Sequence, residues 1–343
     1  MRAETHGPTE AGLRREDVVP GLVSVIVPAY NAEQWIAETL ASVRDQTYPS
    51  VELIVTDDGS NDATLDIATA AADRIVEGRG NGPGGARNRG MAVARGQFLQ
   101  FLDADDLLMP DKLARQVGVL TSSGADVAWE SFHHVVPAGE PNDGFVVGRR
   151  VTPDLGPDLE ASLLTAAGFV QIGALLVRRS PRTDAVWFEE GRDAVEDVRY
   201  MVALAMAGAR YVSSDGDDLG LMFRQHARPR YSTRPLESFA RGCAANAEWA
   251  RGQWEREGPL TAARRAALSE AYAFAARQLA TVDPAAFHEV ARRGMSLGPE
   301  FLHQLPARLR WLSMLVGYER AESLAVQWRR ARAASGLVGT EDR

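Results

Sequence analysis

The chain has 343 residues, enough for one large domain or a domain with an appendage. Its 45% hydrophobic and 24% charged residues are the composition of a globular protein, and a formal charge of −8 argues against a nucleic-acid partner. The single cysteine, Cys243, excludes an internal disulfide framework and a multi-cysteine zinc site. No apolar run reaches the roughly 18 residues that span a bilayer, and the polar stretch MRAETHGPTEAGLRRED has no apolar signal-peptide core. A cytoplasmic location is therefore expected.

In chain order, residues 1–20 read as a disordered leader. Leu22-Val23-Ser24-Val25-Ile26-Val27, a β-branched run that stops at Pro28, predicts a buried strand. Trp35, Ile36, Leu40 and Val43 recur at helical spacing within 33–46. Val51 to Thr56 predicts a second strand ending in Asp57-Asp58-Gly59-Ser60, with a helix over 62–72 behind it. Ile75-Val76 is a short third strand. The segment GRGNGPGGARNRG, 78–90, reads as a loop leading into a short helix. Gln97 to Leu102 is the fourth strand, and Pro110 to Leu120 a helix. This alternation predicts an α/β domain with a mainly parallel, Rossmann-like sheet flanked by helices.

Further on, 127–136 and 145–151 read as pairing strands, 159–166 as a helix and 173–177 as a strand. A helix over 195–207 opens on Glu196-Asp197, and a strand over 219–223 ends in Arg224-Gln225-His226. From Pro235 to about 334 the pattern is helical, with breaks near 258, 284, 298 and 306. The expected divisions are the leader, a sheet domain over 21–232 whose halves meet near 125, a helical region over 235–334 and a flexible tail over 335–343.

In parallel α/β sheets, ligands bind beyond the carboxyl ends of the strands. Three such ends are chemically loaded here: Pro28-Ala29-Tyr30-Asn31, Asp57-Asp58, and Asp103-Ala104-Asp105-Asp106. Tyr30 offers a flat face to a base. Asp58 can accept from a base N–H or a ribose hydroxyl. Asp103 and Asp105 lie two apart, so both can point one way in an extended turn. Their hard oxygens suit Mg²⁺ or Mn²⁺, and such an ion on a diphosphate would offset the repulsion among the carboxylates. Each piece has a plainer reading by itself. Asp57-Asp58-Gly59-Ser60 can be a turn with a helix cap, and Asp105 and Asp106 can be acids favoured ahead of a helix.

Taken together, VSVIVPAYNAEQWIAETLASVRDQTYPSVELIVTDDGSNDAT and GPGGARNRGMAVARGQFLQFLDADDLLMPDKL resemble the nucleotide-binding half of glycosyltransferase family 2. The resemblance covers residues 22–125 and continues more weakly through VEDVRYMVALAMAG and LGLMFRQH to about 230. It implies a GT-A fold and inverting transfer of a sugar from a nucleoside diphosphate donor with Mg²⁺ or Mn²⁺. By resemblance, Pro28, Ala29, Tyr30 and Asn31 line the nucleoside pocket and Asp58 reads the base. Asp103 reaches the ribose or the metal, Asp105 binds the metal, and Ala104 lies between them. The ARNxG signature fits Ala86-Arg87-Asn88-Arg89-Gly90, with Arg87 either facing the nucleotide or solvated at a helix start. A dinucleotide fingerprint is excluded, because the Gly-rich loop follows the third strand and not the first.

Inverting transfer needs a base to deprotonate the acceptor as it attacks. The resemblance places that base in the pair Glu196-Asp197, with Asp197 as base and Glu196 orienting the acceptor. If the pair only opens a helix, Glu189, Glu190 and Asp193 are the nearby carboxylates. Val198 and Arg199 stand where many relatives carry an aromatic. Arg224 and His226 match the family's Y-R-x-H segment with Phe223 for Tyr, His226 toward the metal or phosphate and Arg224 toward phosphate. Arg228, Arg230 and Arg234 suggest a lid. His133 and His134 are not expected to share a metal, since adjacent strand residues face opposite ways. The reading is thus a UDP-type NDP-sugar donor and an acceptor hydroxyl or amine on a glycan, lipid-linked carrier, protein or small metabolite. The alternatives are a sugar nucleotidyltransferase and a non-catalytic nucleotide-sugar-binding protein. The helical tail, with Arg308, Arg310, Trp311, Arg329, Arg330 and Arg332, suits peripheral membrane contact or a homodimer through the C-terminal helices.

Overall fold

The computed structural model describes residues 17–137, 145–191, 195–214, 216, 220–225 and 236–334. The expected tail and residues 1–16 of the expected leader lie outside the described residues. Two compact units make up the chain. The first holds residues up to 155, 167–192 and 196–228; the second holds 156–166, 193–195 and everything from 229.

The first unit runs β1 (Val19–Ala29), α1 (Ile36–Arg44), β2 (Val51–Asp57), α2 (Thr64–Ala71), β3 (Arg74–Glu77), α3 (Gly82–Val93), β4 (Gly96–Phe101), β5 (Leu107–Leu108), α4 (Lys112–Ser123), β6 (Val127–Trp129), β7 (Phe132–Pro137) and β8 (Phe145–Val151). Helix α5 (Leu159–Leu163) belongs to the second unit, and β9 (Leu175–Arg178), α6 (Glu196–Met206), β10 (Tyr211–Ser213) and β11 (Leu221–Arg224) to the first. The main sheet has the order β10-β6-β9-β4-β1-β2-β3. β1 is parallel to β2 and β4, and β2 to β3, while β9 runs antiparallel to β4 and β6. A smaller sheet is ordered β5-β11-β7-β8. Val23, Val25, Ile26 and Val27 of β1 are fully buried, which is why that strand reads as a largely apolar run, and the buried Ser24 among them donates to Glu52 of β2. The stripe Ile36, Leu40 and Val43 of α1 is buried as well.

Two local expectations change. Most of the Gly-rich segment is helix, not loop: α3 starts at Gly82. Its glycines weaken helix propensity, yet they let the helix lie close to its neighbours. A Cβ on Gly90 would strike the Ile26 side chain, and one on Gly84 would come within 2.6 Å of the Glu189 carbonyl. The run 127–136 divides at Glu130-Ser131, so β6 joins the main sheet and β7 the smaller one. The two-residue β5, just after Asp106, has no periodic signal. It pairs antiparallel with β11.

The second unit adds α7 (Leu236–Glu257), α8 (Ala262–Val282), α9 (Pro284–Met295), α10 (Glu300–His303), α11 (Ala307–Val316) and α12 (Tyr318–Ala334). Asp283 caps α9 by accepting from Ala286 N, and Pro284 takes its first position. Trp254, Leu268, Tyr272 and Phe301 are fully buried. Trp311, Met314 and Leu315 are more than 60% exposed. Among the described residues no helix is long and apolar enough to cross a membrane.

Candidate active site

The parallel register of β1, β2 and β4 brings their carboxyl ends to one edge of the sheet. At the end of β1, Ala29 is buried, Pro28 is half-buried, and Tyr30 is 59% exposed. Asn31 adopts the left-handed conformation (φ 49°), in which Asn is at home. Its N–H donates to Ser60 Oγ at 3.0 Å, and its Oδ1 accepts from Asn61 N at 2.9 Å. The β1 and β2 loops are thereby laced together.

The two β2 acids separate into two jobs. Asp57 Oδ2 accepts from Gly59 N and Ser60 N, both at 3.0 Å, which is the turn role expected of such a sequence. Asp58 Oδ1 accepts from Arg89 at 2.6 Å and Oδ2 from Gly82 N at 3.1 Å. The Asp58 carboxylate therefore holds the start of α3.

At the end of β4, Asp106 N donates to Asp103 O at 3.0 Å and closes a turn. Asp103 and Asp105 are half-buried, Ala104 and Asp106 buried. Arg87, only 3% exposed, reaches from α3 and donates to Asp103 Oδ1 at 2.7 Å and to Glu196 Oε1 at 2.6 Å. Its guanidinium carbon lies 5.2 Å from the Phe188 ring centroid. Burial alone would make Arg87 easier to deprotonate. Asp103 and Glu196 outweigh that and hold it further above its ordinary value. Arg87 is thus neither solvated nor open to solution: it ties the β4 acids to the Glu196-Asp197 pair, which stand 109 residues away from it in the chain for Glu196.

Val195, just ahead of that pair, has φ 56°, a conformation rare for a β-branched residue and a sign of strain where α6 begins. Glu196 is buried and Asp197 half-buried. Burial first, then the adjacent Glu196 charge, push the Asp197 carboxyl up to about 7, with Arg87 pulling the other way. Glu189 pairs with Arg199 at 3.1 Å, and Glu190 accepts from Asn81 and Asn88. Asp193 lies outside the described residues.

Arg224 is fully buried in its side chain. Its guanidinium bonds Glu38 at 2.7 Å and stacks over Trp35 at 4.8 Å, while its backbone N–H donates to Asp106 Oδ1 at 3.0 Å. His226, and the arginines at 228, 230 and 234, lie outside the described residues. His134 bonds Gln225 and packs its ring near Phe223. Gln171, Thr39 and Glu38 were not singled out from the sequence, yet all touch this edge: Thr39 Oγ1 donates to Ala104 O at 2.9 Å, and Gln171 Nε2 lies 3.2 Å from both Asp103 Oδ2 and Asp106 Oδ2. None belongs to a motif; Gln171 and Thr39 are buried polar residues, the one signal that could flag them, whereas Glu38 is exposed and carries no such signal.

The residues present fit a small hard cation. Asp103 keeps acceptor capacity beyond its two protein donors, Asp105 presents a half-exposed carboxylate, and Mg²⁺ is commonly held by one or two carboxylates plus substrate phosphates. Among the described residues no group of three or more His, Cys, Asp and Glu side chains forms a self-sufficient metal cage.

Residues 24–144 match the family described as Glycosyl transferase family 2. Among curated proteins, the chain is 33% identical over 136 residues to the UDP-Glc:alpha-D-GlcNAc-diphosphoundecaprenol beta-1,3-glucosyltransferase WfgD of Escherichia coli, covering 38% of this chain and 51% of that one. It is 40% identical over 116 residues to the succinoglycan biosynthesis protein ExoO of Rhizobium meliloti, covering 33% of each. The chain thus spans about half or less of the length of these relatives. Among solved structures, TarS 1-349 of S. aureus in complex with UDP-GlcNAc superposes with a TM-score of 0.65 at 20% identity, over 92% of both chains. The mannosyltransferase PcManGT of Pyrobaculum calidifontis, in complex with GDP-Man and Mn2+, gives 0.50 at 19% identity, over 91% of this chain and 89% of that one. Residues 24–144 therefore form a glycosyltransferase family 2 domain, and the chain has a GT-A fold.

Proposed function

We propose that the chain is an inverting, metal-assisted glycosyltransferase that moves a sugar from an NDP-sugar, UDP-type favoured, to an acceptor hydroxyl or amine. One observation carries the reading: Arg87 bonds Asp103 and Glu196 at once, so the acidic strand end and the Glu196-Asp197 pair form one charged assembly. Tyr30 and Asp58 take the nucleoside, and Asp103 and Asp105 the diphosphate side. A divalent cation bound there supplies positive charge to the departing diphosphate. Asp197 accepts the acceptor's proton as that oxygen or nitrogen bonds to the sugar carbon and the bond to the diphosphate breaks. Its raised affinity for protons suits a base working near neutrality. Glu196, held by Arg87, orients the pair. Arg224 is committed to Glu38 and Trp35, so this reading gives it the support of Asp106 rather than phosphate. WfgD is named for a diphosphoundecaprenol acceptor, which favours a lipid-linked acceptor here.

Thermal denaturation with UDP, with and without Mn²⁺, tests the donor half of the reading. UDP should stabilise the wild-type protein more in Mn²⁺ than in EDTA, and Asp105→Ala should erase the difference. Equal stabilisation of variant and wild type in both buffers would remove Asp105 from the site.

A further inference from the structure

Gln171 opens the short 3₁₀ turn Ile172–Ala174, and its side chain folds back so that Oε1 accepts from Gly173 N at 2.5 Å. That bond fixes which end of the amide faces which way. Nε2 points at Asp103 Oδ2 and Asp106 Oδ2, 3.2 Å from each, with one hydrogen available for each carboxylate. Reversing the amide would set its oxygen against two carboxylates and leave Gly173 N facing a donor. Gln171 is 4% exposed.

The turn that carries Gln171 is itself held from beneath. Three fully buried side chains cap its next three carbonyls in sequence: Gln100 donates to Gly173 O at 2.9 Å, Gln116 to Ala174 O at 2.9 Å, and Lys112 to Leu175 O at 3.1 Å. Lys112 also donates to Gln100 Oε1, so two of the three supports are tied to each other as well as to the turn. On the acidic turn, Arg87 holds Asp103 Oδ1, Thr39 holds Ala104 O, and Arg224 N holds Asp106 Oδ1. Gln171 spans the turn and bonds its first and last residues.

We propose that Gln171 is a positioning residue that clamps Asp103 to Asp106 and so aims Asp105 at a divalent cation carried by the donor diphosphate. The inference rests on the donor-site reading above. Two carboxylates sharing one amide tolerate each other better, and the span between them cannot splay. Gln171 touches neither donor nor metal; it acts through the carboxylates.

The test compares Gln171→Glu and Gln171→Met for UDP binding in Mn²⁺ and in EDTA, by calorimetry, at a pH well above the carboxylate range. Glu keeps the acceptor for Gly173 N but sets a third negative charge between Asp103 and Asp106; Met keeps the bulk and loses both roles. Removing such an outer partner costs about 10–100-fold in metal affinity. Both variants should therefore lose UDP affinity in Mn²⁺ by that order, Glu more than Met, with affinity in EDTA unchanged. If Met binds like wild type in Mn²⁺, or if Glu does while Met is weak, Gln171 is only a cap for its own turn and the clamp is refuted. If wild type shows no Mn²⁺-dependent UDP binding, the donor-site reading fails, and the clamp with it.

Discussion

The two units handle polar side chains in opposite ways. In the sheet unit, several ion pairs join different elements and have at least one partner nearly removed from solvent: Arg87 to Glu196 and Asp103, Arg224 to Glu38, Arg115 to Glu130. In the helical unit, many charges pair one turn apart on the surface, as in Arg241–Glu237, Arg251–Glu255 and Arg293–Glu289. Exposed pairs of that kind contribute little. Buried ones cost desolvation and hold only where geometry is good. Buried charges of the sheet unit are among the ones that the proposed function uses.

The largest contrast should appear in turnover. Asp197→Asn keeps size and a helix-start acceptor but cannot take a proton, so kcat should fall about 10²–10⁴-fold with donor affinity nearly intact. In the wild type, the carboxyl raised to about 7 must be ionised to act, so activity should climb as pH rises through that region and be lost below it. A steady-state pH profile that is flat there, or an active Asp197→Asn enzyme, would move the base elsewhere.

Stability should separate the units next. Arg87→Met strands Asp103 and Glu196 without their shared cation, and breaking a buried pair costs about 3–5 kcal/mol. Denaturant unfolding should show a loss of that size together with weaker donor binding. A cost no larger than for a surface pair would mean that water reaches this assembly freely. The smallest effect belongs to the helical unit. Glu289→Ala removes an exposed one-turn pair with Arg293 and should change unfolding by about 0.3–0.5 kcal/mol at most, with turnover untouched.

Much of the sheet unit was legible because a strand buried on both faces is written mostly in apolar residues, as in β1 and β2, where the buried Ser24 and Glu52 bond each other, and because helix α1 keeps its apolar stripe. What failed was whatever tertiary contact decides. The glycines of α3 argue against a helix until Ile26 and the Glu189 carbonyl press on it. The run 127–136 has one pattern but serves two sheets, since alternation records burial and not partner. At the candidate site, Tyr30, Asp58, Asp103 and Asp105 stand out in the sequence at strand ends. Arg87's two partners and Gln171's two carboxylates lie at sequence separations where no spacing rule operates.

Lys112 is the chain's only lysine. It is fully buried beneath the turn that carries Gln171, and burial pushes its ammonium down to about 7. Above that pH it is a neutral, nucleophilic amine with no route to solvent while the layer is closed. An amine-acylating reagent can reach it only when β9 and α4 part, so the rate of acylation reports that opening. The protein thus carries one natural reporter of breathing under the proposed donor site. A donor that tightens the acidic turn should slow the labelling, whether or not an acceptor is at hand.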